Sequence, residues 1–76
     1  MVDEGEDFLF RLGFRQVRVR HYQNLARIEI FQEEMGRLLE SSLREKVVSF
    51  LKGIGYKYVT LDLQGFRSGS MNEVLG

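Results

Sequence analysis

The chain reads as a small α+β domain, a single-layer sheet of three strands with helices packed on one face, like a fragment of a ferredoxin-like fold. Three observations carry that reading. Residues 15–22 and 25–31 alternate apolar and polar positions, residues 42–54 place apolar side chains at helical spacing, and residues 56–63 return to alternation. With 76 residues, 43% hydrophobic and 29% charged, the chain is one globular unit with no linker and no repeat.

The first element is a short helix. Asp3, Glu4, Glu6 and Asp7 favour the positive end of the helix dipole, Phe8, Leu9 and Leu12 form its apolar stripe, and Gly13 is placed to end it. RQVRVRHY and LARIEIF then form a hairpin around Gln23-Asn24. A two-residue loop sets Val17 against Ile30 and Val19 against Ile28 on one side. It sets Arg18 against Glu29 and Arg20 against Arg27 on the other. Met35, Leu38 and Leu39 mark a short helical turn over residues 32–40. The main helix opens on Ser42-Leu43-Arg44-Glu45, read as a capping box, continues through Leu43, Val47, Phe50, Leu51 and Ile54, and stops at Gly53 or Gly55. In the last strand Val59, Leu61 and Leu63 share one face, and Tyr58, Thr60 and Asp62 share the other. A crossover that returns this strand beside the first gives the expected sheet order 2-1-3. A second capping box, Ser70-Met71-Asn72-Glu73, follows a Gly/Ser loop.

Composition excludes much chemistry. There is no cysteine and only one histidine, His21, so no thiolate, no metal cage and no self-contained catalytic set is expected. No run approaches 18 apolar residues and nothing resembles a signal peptide, which leads to an expected cytoplasmic location with no membrane partner. A binding or assembly domain remains.

The net charge of +0 hides an asymmetry. Four of the 11 acids lie in the first seven residues, so the rest of the chain holds seven acids against 11 bases, a net of +4. Eight of the 11 bases are arginine, whose planar fork suits phosphate and carboxylate. Arg18, Arg20 and Arg27 share a sheet face with Glu29, Thr60, Asp62 and Tyr58. Two readings of that face stay open, a solvated or interface surface and an anion site. Exposed ion pairs contribute about 0–1 kcal/mol each, so stability alone does not account for the cluster. The Gly/Ser tail with Arg67 ahead of a helix start has the parts of an anion cradle, and equally those of a flexible end. His21 falls on the Val17/Val19 face and reads as a packed histidine, while Phe31, Phe50 and Phe66 read as core or interface. No run of stacking aromatics points to RNA, and the small basic excess argues against a nucleic-acid partner.

The strings LGFRQVRVRH (12–21), ARIEI (26–30) and YVTLDLQGFRSGSMNEVL (58–75) resemble the C-terminal domain of the LarE-type family. These are ATP-dependent sacrificial sulfur transferases of the PP-loop (N-type ATP pyrophosphatase) superfamily. The resemblance spans nearly the whole chain. It implies that residues 1–76 form one C-terminal domain whose partner is an N-terminal PP-loop domain of the same protein. That absent domain would use ATP and Mg to adenylylate a carboxylate of a nicotinate-derived mononucleotide, on the route to the nickel-pincer nucleotide. Alone, the chain is then expected to need no cofactor, to hold no catalytic residue and to be inactive.

The resemblance also implies roles for residues. Arg18 and Arg20 match the family's strand arginine pair, associated with substrate or phosphate contacts, so the implied ligand is an anionic nucleotide-like substrate. Glu6 matches a glutamate in an AExFL-like run, from which Gly5 departs. A further family acid falls near Glu33 or Glu34. Arg67, Ser68 and Ser70 match the terminal FRSGSMNE segment, with a structural or site-closing role. The alternatives are an oligomerisation domain of a PP-loop ATPase without substrate contact, since family members are homo-oligomeric, and part of a tRNA-thiolation-type PP-loop enzyme.

Overall fold

Val17 faces Ile30, Val19 faces Ile28 and Arg20 faces Arg27 in the antiparallel hairpin of β1 (Val17–Tyr22) and β2 (Leu25–Ile30). A two-residue turn and a strict period of two allow no other register that keeps the isoleucines out of water. The computed structural model describes residues 2–66; α1 (Val2–Arg11) precedes the hairpin. After it come a 3-10 turn (Gln32–Glu34), α2 (Met35–Leu38), α3 (Ser41–Ile54) and β3 (Tyr58–Leu61). Leu9 of α1 and Val47 and Leu51 of α3 join Val17, Val19, Ala26, Ile28 and Ile30 in one buried cluster, so the helices cover the apolar sheet face.

The fold is the α+β sheet the alternation predicts, with one correction. The strand order is β1-β2-β3, with β3 parallel to β2, and not 2-1-3. The physical reason lies in the strands themselves. The centre of a sheet is covered from both edges, and LARIEI, which buries Ala26, Ile28, Glu29 and Ile30, suits it better than the arginine-bearing VRVRHY. The crossover joins neighbouring strands, and the Asn24 carbonyl receives both Lys57 N–H (2.8 Å) and Tyr58 N–H (3.1 Å) where β3 begins. The turn's positive φ (48°) falls on Gln23 rather than on Asn24.

Both long helices end in the same way. Gly13 N–H donates to the Phe10 carbonyl (2.9 Å) and Phe14 N–H to that of Leu9 (3.4 Å); Gly55 donates to Lys52 (3.1 Å) and Tyr56 to Leu51 (3.2 Å). These are Schellman closures, in which the residue after the glycine folds back over the last turn. Phe14 and Tyr56 are thereby driven into the core beside Leu9 and Leu51. The start of α3 differs from expectation. The helix begins at Ser41 with no side-chain cap on its first amides, and the Ser42 hydroxyl instead donates to Glu40 Oε1 (3.4 Å). Ser42 is already inside the first turn, so the expected box with Glu45 does not form.

Two glycines sit where a side chain would collide. A Cβ on Gly5 would stand 2.9 Å from Leu51 Cδ2, which lets α1 settle against α3 and β1. At Gly65 (φ 82°) a Cβ would stand 2.6 Å from the Ile30 carbonyl oxygen, where Phe66 N–H donates at 2.7 Å. Phe66 meets Phe31 edge-on with ring centres 5.8 Å apart, fastening the chain after β3 to the end of β2.

His21 is exposed rather than buried, and its ring meets that of Tyr56 with centres 5.3 Å apart. The apolar stripe of β1 ends at Val19, and the His21 ring reaches past it to share a 3.1 Å hydrogen bond between Nδ1 and the Tyr56 hydroxyl. Burial pushes the Tyr56 phenol above its ordinary value of 10.0. A folded-state pKa above the unfolded one means that this contribution is whole below pH 10 and is lost as pH rises through the folded value. Thermal melts between pH 9 and 11 should show the wild type losing stability with rising pH more steeply than Tyr56→Phe; parallel curves would contradict the assignment.

Candidate functional site

On the sheet face opposite the helices, the residues form rows set by the strand register. Arg18 stands opposite Glu29, and Arg20, Arg27 and Thr60 form the next row. Arg20 and Arg27 are like charges directly across the hairpin, an arrangement that costs a few tenths of a kcal/mol unless bridged. Glu29 bridges them. Arg20 Nε donates to Glu29 Oε1 at 3.3 Å and Arg27 donates from Nη2 to Oε2 at 3.1 Å. Glu29 is only 8% exposed, the one buried charged residue among those described. Its burial follows from the central position of β2, and a buried carboxylate requires such partners. Asp62, just beyond β3, adds a second counter-charge with Oδ2 3.8 Å from Arg27 Nε.

The network leaves one cation over. Three guanidiniums face two carboxylates, and both Glu29 oxygens are taken by Arg20 and Arg27. Arg18 is exposed and has no ion pair among the described residues. The matched strand pair is thus unequal: Arg20 is tied down and Arg18 is open to solvent and to any anion.

The other expected site residues lie elsewhere. Glu6 reaches from α1 to the outer edge of β1, where it accepts Val19 N–H at 2.9 Å. That bond satisfies an amide the edge strand would otherwise leave unpaired. Glu34 accepts Arg15 N–H at 3.1 Å and lies 3.7 Å from the Arg15 guanidinium, which also covers the Phe31 ring at 4.9 Å. Glu33 is 3.8 Å from the same arginine. Neither glutamate joins the arginine face. Arg67, Ser68, Ser70 and the second capping box lie outside the described residues. Among the described residues no group of acids and histidine is arranged to hold a metal ion, and no helix is long and apolar enough to cross a membrane.

Sequence reasoning did not find the bridging role of Glu29. The signal was present, since Glu29 lies two residues beyond Arg27 on β2 and diagonally across the hairpin from Arg20. Arg37 was also missed: it donates to the Leu12 carbonyl and covers the Phe14 ring at 4.3 Å, closing the end of α1.

This charged sheet can be set beside known proteins. The chain is 46% identical over 71 residues to pyridinium-3,5-bisthiocarboxylic acid mononucleotide synthase of Lactiplantibacillus plantarum, a LarE-type enzyme. Over that stretch the chain is related to a LarE-type enzyme. The match covers 93% of this chain and 25% of the synthase. An uncharacterized protein of Synechocystis sp. is 45% identical over 97% of the chain, and one of Methanocaldococcus jannaschii is 33% identical over 88%. The chain spans about a quarter of the length of these relatives (28% and 25% of the latter two). No family model matches it.

The network makes unequal demands on its members. Replacing Glu29 by Ala leaves two guanidiniums facing each other and should cost about 1–3 kcal/mol, whereas Arg18→Ala should cost less than about 0.5 kcal/mol. Urea denaturation of the two variants checks this; equal losses would mean that Glu29 does not bridge.

Proposed function

We propose that the chain is the C-terminal, substrate-positioning domain of a LarE-type, ATP-dependent sulfur transferase of the PP-loop superfamily. The observation that carries the reading is Arg18, an exposed guanidinium with no ion pair among the described residues, beside a network that neutralises its neighbours. The similarity to a pyridinium mononucleotide synthase supplies the class of ligand. In this reading Arg18 takes the phosphate or a carboxylate of a nucleotide-like substrate, and Arg20, anchored on Glu29, contributes field at short range. A preorganised cation holds an anionic ligand without itself reacting, so its contribution to the parent enzyme is positioning.

The chemistry belongs to a PP-loop domain of the same protein, with ATP and Mg bound there. The cell compartment is the cytoplasm. The 76-residue chain alone performs no transfer. Arg67 and Ser68 remain candidates for closing the site, and Glu6 and Glu34 act through the frame, one on the edge of β1 and the other on Arg15.

A second reading, an assembly domain, is favoured by a different feature. A cavity of about 190 Å³ runs beside the open edge of β3, lined in part by Leu38, Leu39, Val48, Val59 and Leu61. A second copy pairing there would cover it. Sedimentation at millimolar concentration discriminates: a strict monomer rules assembly through this edge out, and a larger particle that leaves Arg18 reactive supports both roles.

For the substrate reading, NMR titration with a pyridinium mononucleotide should shift backbone signals of Arg18 and Arg20, with weak affinity because half the site is elsewhere. Arg18→Gln should remove about tenfold of that affinity, the scale of a charge-assisted hydrogen bond. Shifts confined to the helical face would contradict it.

A further inference from the structure

Beyond the arginines, the charged face carries an aromatic row. Tyr22 pairs with Leu25 and Leu25 pairs with Tyr58, so the three side chains stand side by side across all three strands. The two tyrosines are 55% and 61% exposed. Single exposed apolar residues need no explanation, but two phenol rings flanking a leucine in one row form a flat, electron-rich strip. His21, Gln23 and Asn24 complete the wall of an open concavity of about 530 Å³ around it. That volume suits one small ligand.

The strip is held in place. Arg27, itself anchored on Glu29, lies 5.4 Å from the centre of the Tyr22 ring, a cation–π distance. The row also has a fixed relation to the cations. Arg20 is two residues from Tyr22 along β1, about 7 Å, and Arg18 about 13 Å, both on the same face. Arg20 therefore stands about the span of a ribose from the aromatic row, and Arg18, one row further, would reach the same anionic group through the length of its own side chain.

We infer that Tyr22, Leu25 and Tyr58 form a stacking subsite for the planar, preferably cationic, ring of a mononucleotide whose phosphate is held by Arg18. This rests on the reading of the arginine face as an anion site and adds the orientation of the ligand along β1, ring toward the hairpin turn. Phenol faces favour a cationic ring over a neutral one.

Three ligands separate the two halves of the site: nicotinic acid mononucleotide, ribose 5-phosphate and the 1-methylnicotinamide cation, each titrated into the 76-residue chain by NMR. The mononucleotide should bind about tenfold more tightly than ribose 5-phosphate, with its ring protons moved upfield and nuclear Overhauser contacts to Tyr22 and Tyr58. Tyr22→Leu and Tyr58→Leu, both at exposed positions, should erase that advantage and leave ribose 5-phosphate binding unchanged. Equal binding of the two phosphates, with the tyrosine rings undisturbed, overturns the stacking subsite while the anion site stands. If 1-methylnicotinamide moves the tyrosine signals and ribose 5-phosphate moves nothing, the ring subsite stands and the anion site falls. Silence from all three overturns both. A short oligouridylate whose affinity climbs with each added nucleotide would replace a mononucleotide ligand with single-stranded RNA.

Discussion

A carboxylate buried in the middle strand decides how this sheet can be used. Glu29 is covered because β2 has a neighbour on each side, and a covered carboxylate needs cations at hydrogen-bond distance. Arg20 and Arg27 supply them from two strands, and the repulsion expected between those two disappears into the shared oxygen pair. The strand order matters to this balance. With β3 beside β2, Asp62 comes to Arg27. In the observed order both acids pair with Arg20 and Arg27, and Arg18 keeps no ion pair among the described residues.

The remaining elements hold that surface still. Glu6 closes an edge amide of β1, so the strand bearing Arg18 and Arg20 is tied to α1 as well as to β2. The two Schellman closures turn Phe14 and Tyr56 into core residues directly after their helices, and Phe8 stacks on Phe50 with ring centres 4.0 Å apart where α1 meets α3. A domain of 76 residues buries a modest fraction of its surface, so such local locks carry a large share of its rigidity. The charged face is thus built on strands and not on loops.

What could be read from the sequence follows from how local each signal is. The hairpin register was legible because a two-residue turn and alternation leave one solution, and Val17, Val19, Ile28 and Ile30 are buried as read. The end of α1 was legible because Gly13 follows an apolar stripe; at α3 the sequence left Gly53 and Gly55 open, and the helix runs through Gly53 to close at Gly55. The strand order was not, because crossover geometry constrains handedness and says little about which neighbour receives the strand. The capping box at Ser42 failed for a related reason: Ser41 and Ser42 both fit a helix start, and only the backbone decides between them. In the site, alternation put Arg18, Arg20, Arg27 and Glu29 on one face. It could not tell that Glu29 would be buried, or that Arg20 and not Arg18 would be bound to it. Glu6 and Glu34, carried over by resemblance, turned out to serve backbone amides at Val19 and Arg15.

An asymmetry between arginines that look equivalent in the string RVR governs the charged face. Its most direct test follows each guanidinium Nε–H signal by NMR while inorganic phosphate is added at low ionic strength. The account predicts that Arg18 responds first and most, Arg20 less, and Arg27, wedged between Glu29 and Asp62, hardly at all. An Arg27 response equal to that of Arg18, or an unresponsive Arg18, would contradict it.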